Sequence, residues 1–180
     1  MLKLRYYGDP SVGRKTIPVA TVDDGIRALA REMFEVMRAH AGVGLAANQT
    51  SERTRVIVID VSAGKNPREA FALVNPRVTG SGGAFTDEEG CLSFPGLHLD
   101  IRRPLEIRVE ALGLDGNPVT VNASGILARI LMHEIDHLDG ILFFRRLPLL
   151  KKLAFLRRLP ALKRQYRKIA ERTDVKGGEE

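Results

Sequence analysis

Apolar residues recur every three or four positions in two stretches of the chain, which is the period of an amphipathic helix. In the first stretch these residues are Ile26, Leu29, Met33 and Met37. Capping candidates at 21–24 precede them and glycines end the pattern at 40–44, so we predict a helix between these limits. In the second stretch, Ser124 is a capping residue and Gly140 a stop signal, which predicts a helix that runs to Asp139.

Strands are predicted between the two helices. Residues 55–60 and 71–76 are short apolar runs typical of buried strands, and a proline is expected to end the second. Residues 105–111 alternate apolar and charged side chains, and a turn at 115–118 would return the chain as a hairpin at 119–121. Antiparallel strands with few helices predict an α+β fold.

Composition and charge divide the chain into two parts. The 180 residues carry 28 Lys+Arg against 22 Asp+Glu, a net charge of +6, and their 44% apolar content can fill a sizeable core. Residues 151–180 hold ten basic and four acidic residues, so they account for the whole excess. We therefore expect a neutral body at 1–147 and a basic helical extension at 148–180.

The same composition excludes several classes of protein. A single cysteine cannot form an internal disulfide, which indicates a reducing compartment. No apolar run approaches the roughly 20 residues of a membrane-spanning helix.

The second predicted helix carries the motif H-E-I-D-H at 133–137. Residues four apart lie on one helix face, so both imidazoles can reach one metal ion, and Glu134 can take a proton from water there. Two histidines leave a catalytic metal one protein ligand short. No histidine follows His137, and the soft ligand available upstream is Cys91 in E-G-C-L-S at 89–93. Alternatively, a lone cysteine can be a small buried apolar residue.

A third feature is the segment G-V-G-L-A-A-N-Q at 42–49. Its glycines permit another chain to approach closely, but no Gly-Lys-Ser/Thr follows, so it is not a phosphate loop. The amide of Gln49 could donate to a carbonyl oxygen that gains negative charge. A plain turn with a surface glutamine is the alternative.

The three segments together, in this order, resemble peptide deformylase, whose family motifs read GxGLAAxQ, EGCLS and HExDHLxG. All fixed positions match, and the resemblance extends from the first helix to about residue 147. It implies an α+β fold in which antiparallel or mixed β-sheets pack around a central metal-binding helix, followed by a C-terminal helix. It also implies hydrolysis of the N-terminal formyl group of formyl-methionine on newly synthesised polypeptides, with release of formate.

The resemblance implies a role for each motif residue. Fe²⁺, replaceable by Zn²⁺ or Ni²⁺, would be held by Cys91, His133 and His137. Glu134 would act as general base and then as general acid to the leaving amine. The formyl oxygen would be bound by the side chain of Gln49 and the backbone N–H of Leu92.

Substrate contacts are implied for further residues. The substrate backbone would pair, like an added strand, with Val43, Gly44 and Gly90. The methionine side chain would lie in an apolar pocket formed by Ile126, Ile130 and His133. Glu89 would pair with Arg103 and hold the cysteine loop. His98 stands where some members have a basic residue that contacts the peptide beyond methionine, and Arg129 is expected off the pocket face.

The basic extension has three possible roles. Pro160 is expected to kink or divide its helix. In deformylases of this type a C-terminal helix docks on the ribosome near the exit tunnel, which here implies salt-sensitive binding to ribosomal RNA phosphates. A solvated packing helix and contact with a membrane surface are the alternatives.

Two other functions remain open for the body. One is an H-E-x-x-H peptidase, which would not need Cys91. The other is an RNA- or ribosome-binding module with structural His and Cys residues. We expect a monomer in the bacterial cytoplasm, with nascent formyl-methionyl peptides as substrates, no DNA partner and no membrane span.

Overall fold

The computed structural model describes residues 2–62, 64–66 and 69–176. Within these ranges the α-helices are α1 (Asp24–Ala39), α2 (Gly125–Leu138), α3 (Leu149–Leu156) and α4 (Leu159–Lys176). The strands are β1 (Gly44–Ala46), β2 (Val56–Asp60), β3 (Ala70–Gly82), β4 (Phe85–Gly90), β5 (His98–Arg103), β6 (Glu106–Leu112) and β7 (Pro118–Ser124). None of the helices in this described part is both long and apolar enough to cross a membrane.

The strands form two separate antiparallel sheets. Five strands pair in the order β1-β2-β3-β6-β7, and β4 pairs with β5 in a two-stranded hairpin. Every residue of β2 is buried, because Val56 and Val58 contact the apolar cluster on the α1 side while Ile57 and Ile59 contact the cluster on the α2 side. The α+β prediction is confirmed, with α2 packed against the sheet and the hairpin beside it.

Both predicted helices of the body are confirmed. The side chain of Asp23 caps α1 by accepting a hydrogen bond from the backbone N–H of Ile26 at 2.9 Å. Ser124 precedes α2 as expected, although its hydroxyl makes no capping hydrogen bond. Gly140 follows α2 with a positive φ of 72°, a conformation that suits glycine.

The predicted end of a strand at Pro76 is wrong, because β3 continues to Gly82. Pro76 lies where the pairing of β3 with β6 shifts register, between Val74 and Arg77. A proline needs no N–H partner at such a bulge, so the strand passes through it.

The C-terminal extension packs against the body. It divides as predicted, since α3 ends at Leu156 and Pro160 lies in the first turn of α4. The ring of Phe155 lies 5.2 Å from that of Phe144. The Tyr166 ring meets the edge of Phe94 at 5.8 Å. Both aromatic residues of the extension are buried, so the extension contributes to the hydrophobic core.

Candidate metal centre

Cys91, His133 and His137 converge on one point, and we call them the ligand cluster. Their ligand atoms all lie within 4.8 Å of one another. The two histidine Nε2 atoms are 3.2 Å apart, and the cysteine Sγ is 3.2 Å from the Nε2 of His137. Two nitrogens bound to one tetrahedral metal would be roughly 3.3 Å apart, so the cluster fits a metal ion.

The local fold explains this convergence. His133 and His137 are one turn apart on α2 and point to the same side of the helix. Cys91 directly follows β4, in a turn where the N–H of Phe94 donates to the Cys91 carbonyl at 2.8 Å. Burial lowers the pKa of His137 well below its usual value, and the neighbouring His133 lowers it further. This favours the neutral form of the His137 ring, which is the form that binds metals. Burial would lower the pKa of His133, but hydrogen bonds to Cys91 and Glu89 outweigh it and raise this pKa, so a metal bound there would displace a proton from that ring.

Buried charges hold the ligand cluster in place. Glu89 accepts a hydrogen bond from the Nδ1 of His133 at 2.6 Å, which leaves Nε2 facing the cluster. Arg103 donates to both Glu89 oxygens, at 3.0 and 2.6 Å, and to Asp136. Burial would raise the pKa of Glu89, but hydrogen bonds from His133 and Arg103 outweigh it and hold this pKa below its usual range. Asp136 in turn accepts two hydrogen bonds from Arg146.

Glu134 lies beside the cluster with 5% of its surface exposed. Burial raises the pKa of this carboxyl to about 7, although the nearby His133 lowers it in part. Such a group can both accept and donate a proton near neutral pH. A Cβ atom on Gly44 would lie 2.5 Å from the Glu134 Oε1, so any larger residue at position 44 would displace this carboxyl.

Gln49 is fixed with its amide nitrogen toward the cluster. Its Oε1 accepts from the backbone N–H of Ala46 at 2.9 Å. Its Nε2 donates to the Ser93 hydroxyl at 3.0 Å and lies 3.6 Å from the Cys91 Sγ. Ser93 is fully buried. An amide held at both ends is a preorganised donor for an oxygen that gains negative charge.

Comparison with known proteins identifies the family. A model of the polypeptide deformylase family matches residues 1–153. The chain belongs to this family. The peptide deformylase of Picosynechococcus sp. is 46% identical over 147 residues, which cover 81% of this chain and 78% of that protein. The peptide deformylase of Alkalilimnicola ehrlichii is 43% identical over 152 residues, covering 84% and 85% of the two chains.

Solved structures agree with this assignment. The peptide deformylase of Thermus thermophilus superposes with a TM-score of 0.85 at 40% identity, covering 94% of this chain and 99% of that one. The Synechococcus elongatus enzyme in complex with actinonin has a TM-score of 0.79 at 36% identity, covering 84% and 83%. Metal-dependent deformylation is the function of the family, so this chain is a hydrolase of formyl groups on new polypeptides.

The residues expected to contact substrate in this deformylase differ in how exposed they are. Strand β1 is an edge of its sheet. The carbonyl of Val43 already accepts from the Asp60 N–H, so strand alternation turns the polar groups of Gly44 toward the open edge. Ile126 is 62% exposed, whereas Ile130 is buried. A Cβ on Gly90 would lie 2.9 Å from the His98 ring, so that ring lies beside Gly90, which is itself exposed.

Sequence reasoning missed several buried polar residues around the site. They are Ser93, Arg129 and Asp136, and the exposed Arg146 contacts the last of these. Ser93 and Asp136 are fixed letters of two family motifs, which was the available signal for them. Arg129 has no such signal, because it precedes the H-E-x-x-H motif and only tertiary contacts reveal its place.

Proposed function

We propose that the ligand cluster binds the catalytic metal of this deformylase and that Glu134, Gln49 and Leu92 complete the active site. The convergence of one thiolate and two imidazoles from distant parts of the chain carries this proposal. Three protein ligands leave a fourth position for water or substrate. The bound metal would act as a Lewis acid that activates water near neutral pH. We propose Fe²⁺ as this metal, with Zn²⁺ or Ni²⁺ able to replace it, since sulfur and imidazole ligands suit these ions.

Glu134 moves the proton in this mechanism. As a carboxylate it accepts a proton from the attacking water, and as an acid it donates the proton to the departing amine. A pKa of about 7 makes both forms available near neutral pH. Its position against Gly44 keeps the carboxyl close to the bound substrate.

Two donors stabilise the negative charge that develops on the formyl oxygen. One is the Nε2 of Gln49, fixed by the contacts of the amide with Ala46 and Ser93. The other is the backbone N–H of Leu92. Because these groups are held before substrate arrives, little reorganisation opposes the reaction.

The peptide binds as an added strand at the open edge of β1. Gly44 supplies backbone groups on one side, with Val43 beside it, and Gly90 supplies them on the other. Ile130 and His133 form the floor of the methionine pocket, and the exposed Ile126 forms its rim. Burial of the Ile126 side chain by substrate would contribute favourable apolar contact.

The experiment is an assay of formate release from a formyl-Met peptide, with anaerobic measurement of bound metal. We expect release with stoichiometric metal, and loss of both metal and release in Cys91→Ala. Glu134→Gln should keep the metal but lose at least about 100-fold in turnover. Asn122→Ala, an exposed change on β7, is the control. Activity and metal retained without Cys91 would contradict the proposal and favour an H-E-x-x-H peptidase. A metal-loaded protein that releases no formate would also contradict it.

We further propose that 1–147 form the catalytic body and that the extension at 148–180 docks this enzyme on the ribosome. The exposed basic residues of α3, α4 and the turn between them support this role: they are Lys151, Arg157, Arg158, Lys163, Arg164, Arg167 and Lys168. Four leucines of α3 are also more than two-fifths exposed, which leaves an apolar face available to a partner. Formylated chains emerge from ribosomes, so we place the enzyme, as a monomer, in the bacterial cytoplasm.

Charge reversal tests docking better than truncation, because truncation would remove the buried Phe155 and Tyr166. We expect Lys151→Glu with Arg164→Glu and Lys168→Glu to weaken co-sedimentation with ribosomes at least tenfold, while turnover of a free peptide stays unchanged. Wild-type binding should also fall steeply with salt. The matched control reverses three exposed basic residues of the body: Lys15, Arg53 and Arg108. Equal losses in both triple variants, or none in the first, would contradict docking by the extension.

A further inference from the structure

The ligand cluster is assembled across a gap between two elements. Its histidines belong to α2, whereas Cys91 follows β4 of the hairpin. That hairpin shares no strand pairing with the five-stranded sheet in the described residues. Two-residue links at 83–84 and 104–105 join the hairpin to that sheet. Side-chain contacts with α2 act together with these links to fix where the Cys91 sulfur lies relative to the histidines.

Arg129 crosses this gap from the helix side. It lies on α2 one turn before His133 and is 3% exposed. Its Nη1 donates to the backbone carbonyl of Asp87 on β4 at 3.3 Å and to that of Ile101 on β5 at 3.1 Å. One guanidinium thus contacts the main chain of both hairpin strands.

Two further contacts anchor the same guanidinium. Nη1 also donates to the Glu89 Oε2 at 3.1 Å, and Glu89 orients His133. The guanidinium carbon lies 4.5 Å from the centroid of the Phe85 ring at the start of β4, a cation–π distance. Arg103 crosses the gap in the opposite direction, from β5 to Asp136 on α2.

Stability alone does not explain a buried arginine here. Its Nε and Nη2 atoms are buried and have no hydrogen-bond partner among the described residues. Unsatisfied buried donors cost free energy. Replacing Arg129 would not leave the Glu89 charge unpaired, because Arg103 donates to both of its oxygens. The contacts of Arg129 are directed at the hairpin main chain, which suggests that placement of the hairpin is its contribution.

We propose that Arg129 is a positioning residue that sets the distance between the Cys91 sulfur and the two histidines, and thereby the retention of the metal. This inference rests on the proposed function of the ligand cluster. Lysine cannot replace arginine fully, because an ammonium group lacks the planar fork that reaches several acceptors and stacks on a ring.

The test compares zinc release with folding stability in the same proteins. Zn²⁺-loaded wild type, Arg129→Met and Arg129→Lys are mixed with excess chelator to follow the dissociation rate, and urea unfolding of the same proteins is measured after metal removal, because bound zinc itself adds to folding stability. We expect Arg129→Met to release zinc at least tenfold faster with an unfolding midpoint close to that of wild type. Arg129→Lys should release zinc at an intermediate rate. If the Arg129→Met protein does not fold, the comparison of zinc release with unfolding stability is made on Arg129→Lys alone.

Arg55→Met is the matched control. Arg55 also joins two elements, through the Asp139 carboxylate at 2.7 Å and the Pro76 carbonyl at 2.9 Å, but it does not contact the hairpin in those bonds. Its zinc release should stay at the wild-type rate. The inference would be overturned if both Arg129 variants released zinc at the wild-type rate. It would also be overturned if zinc release in Arg129→Met, Arg129→Lys and Arg55→Met rose only in proportion to the stability that each variant loses. Failure of wild type to bind zinc would instead refute the proposed ligand cluster.

Discussion

Replacing Tyr166 with alanine tests whether the C-terminal extension belongs to the folded body. The side chain is 1% exposed, and its ring meets Phe94 in the turn that carries Cys91. Truncation of a buried aromatic residue to alanine typically costs about 3–5 kcal/mol. Tyr166 also borders an open groove of ≈ 1150 Å³ between the N-terminal segment, α1 and α4, so water can enter the space that the truncated ring leaves. We therefore expect the lower end of the range, about 3 kcal/mol.

Urea unfolding of the metal-loaded protein measures this loss, provided that the slope with denaturant stays constant. Tyr166→Phe keeps the ring contact with Phe94 and should cost less than about 1 kcal/mol. Leu150→Ala, at an 81% exposed position of α3, should stay within about 0.5 kcal/mol of wild type. A Tyr166→Ala variant as stable as wild type would refute the packing argument for α4.

Three further expectations follow from the site and its surroundings. Gly44→Ala should lower kcat at least tenfold in the formate assay, because the new Cβ would lie 2.5 Å from the general base; normal turnover would contradict this close contact. Ser93→Ala should lower kcat more than it changes KM, since the Gln49 amide loses the hydroxyl that it contacts at 3.0 Å. The hydrogen bond from Ser62 lowers the pKa of the Asp60 carboxyl, against the opposing effect of burial. A carboxyl whose pKa is lowered by folding stabilises the fold at pH values above its pKa in the unfolded chain, about 3.9. This contribution is lost as the pH falls through the lower pKa of the folded state. Ser62→Ala should therefore be less stable than wild type near pH 7, with a gap that narrows below about pH 4 in thermal unfolding.

Local sequence patterns were sufficient to predict the helix that carries the two histidine ligands, but not the hairpin of β4 and β5. The helix α2 combines apolar periodicity with a four-residue metal spacing, and both depend on sequence neighbours only. Strand β4 has no such pattern, because Thr86, Asp87 and Glu88 are all exposed and its buried side chain is Glu89. A buried acid on a polar strand becomes explicable only when its partners from other elements are known.

The positions of Arg129 and Pro76 also could not be predicted from neighbouring residues in the sequence. A charged residue on an amphipathic helix normally faces solvent, so nothing local indicates that Arg129 is buried against the hairpin. A proline normally ends a strand, so nothing local indicates that Pro76 lies at a bulge. In both cases the tertiary partner decides. The family resemblance located the reactive residues and the Glu89–Arg103 pair, but it gave no sign that Arg129 supports the site.

The two sources of the ligand cluster have a consequence for how the protein acquires its metal. His133 and His137 are four residues apart, whereas Cys91 and His137 are 46 apart. The histidine pair is therefore complete once α2 has formed, but recruiting the thiolate closes a long loop at an entropic cost of about 3 kcal/mol. A metal ion bound to both parts acts as a cross-link, and its binding free energy becomes folding free energy. Metal supply during synthesis would then govern how much of the newly made chain reaches its native state.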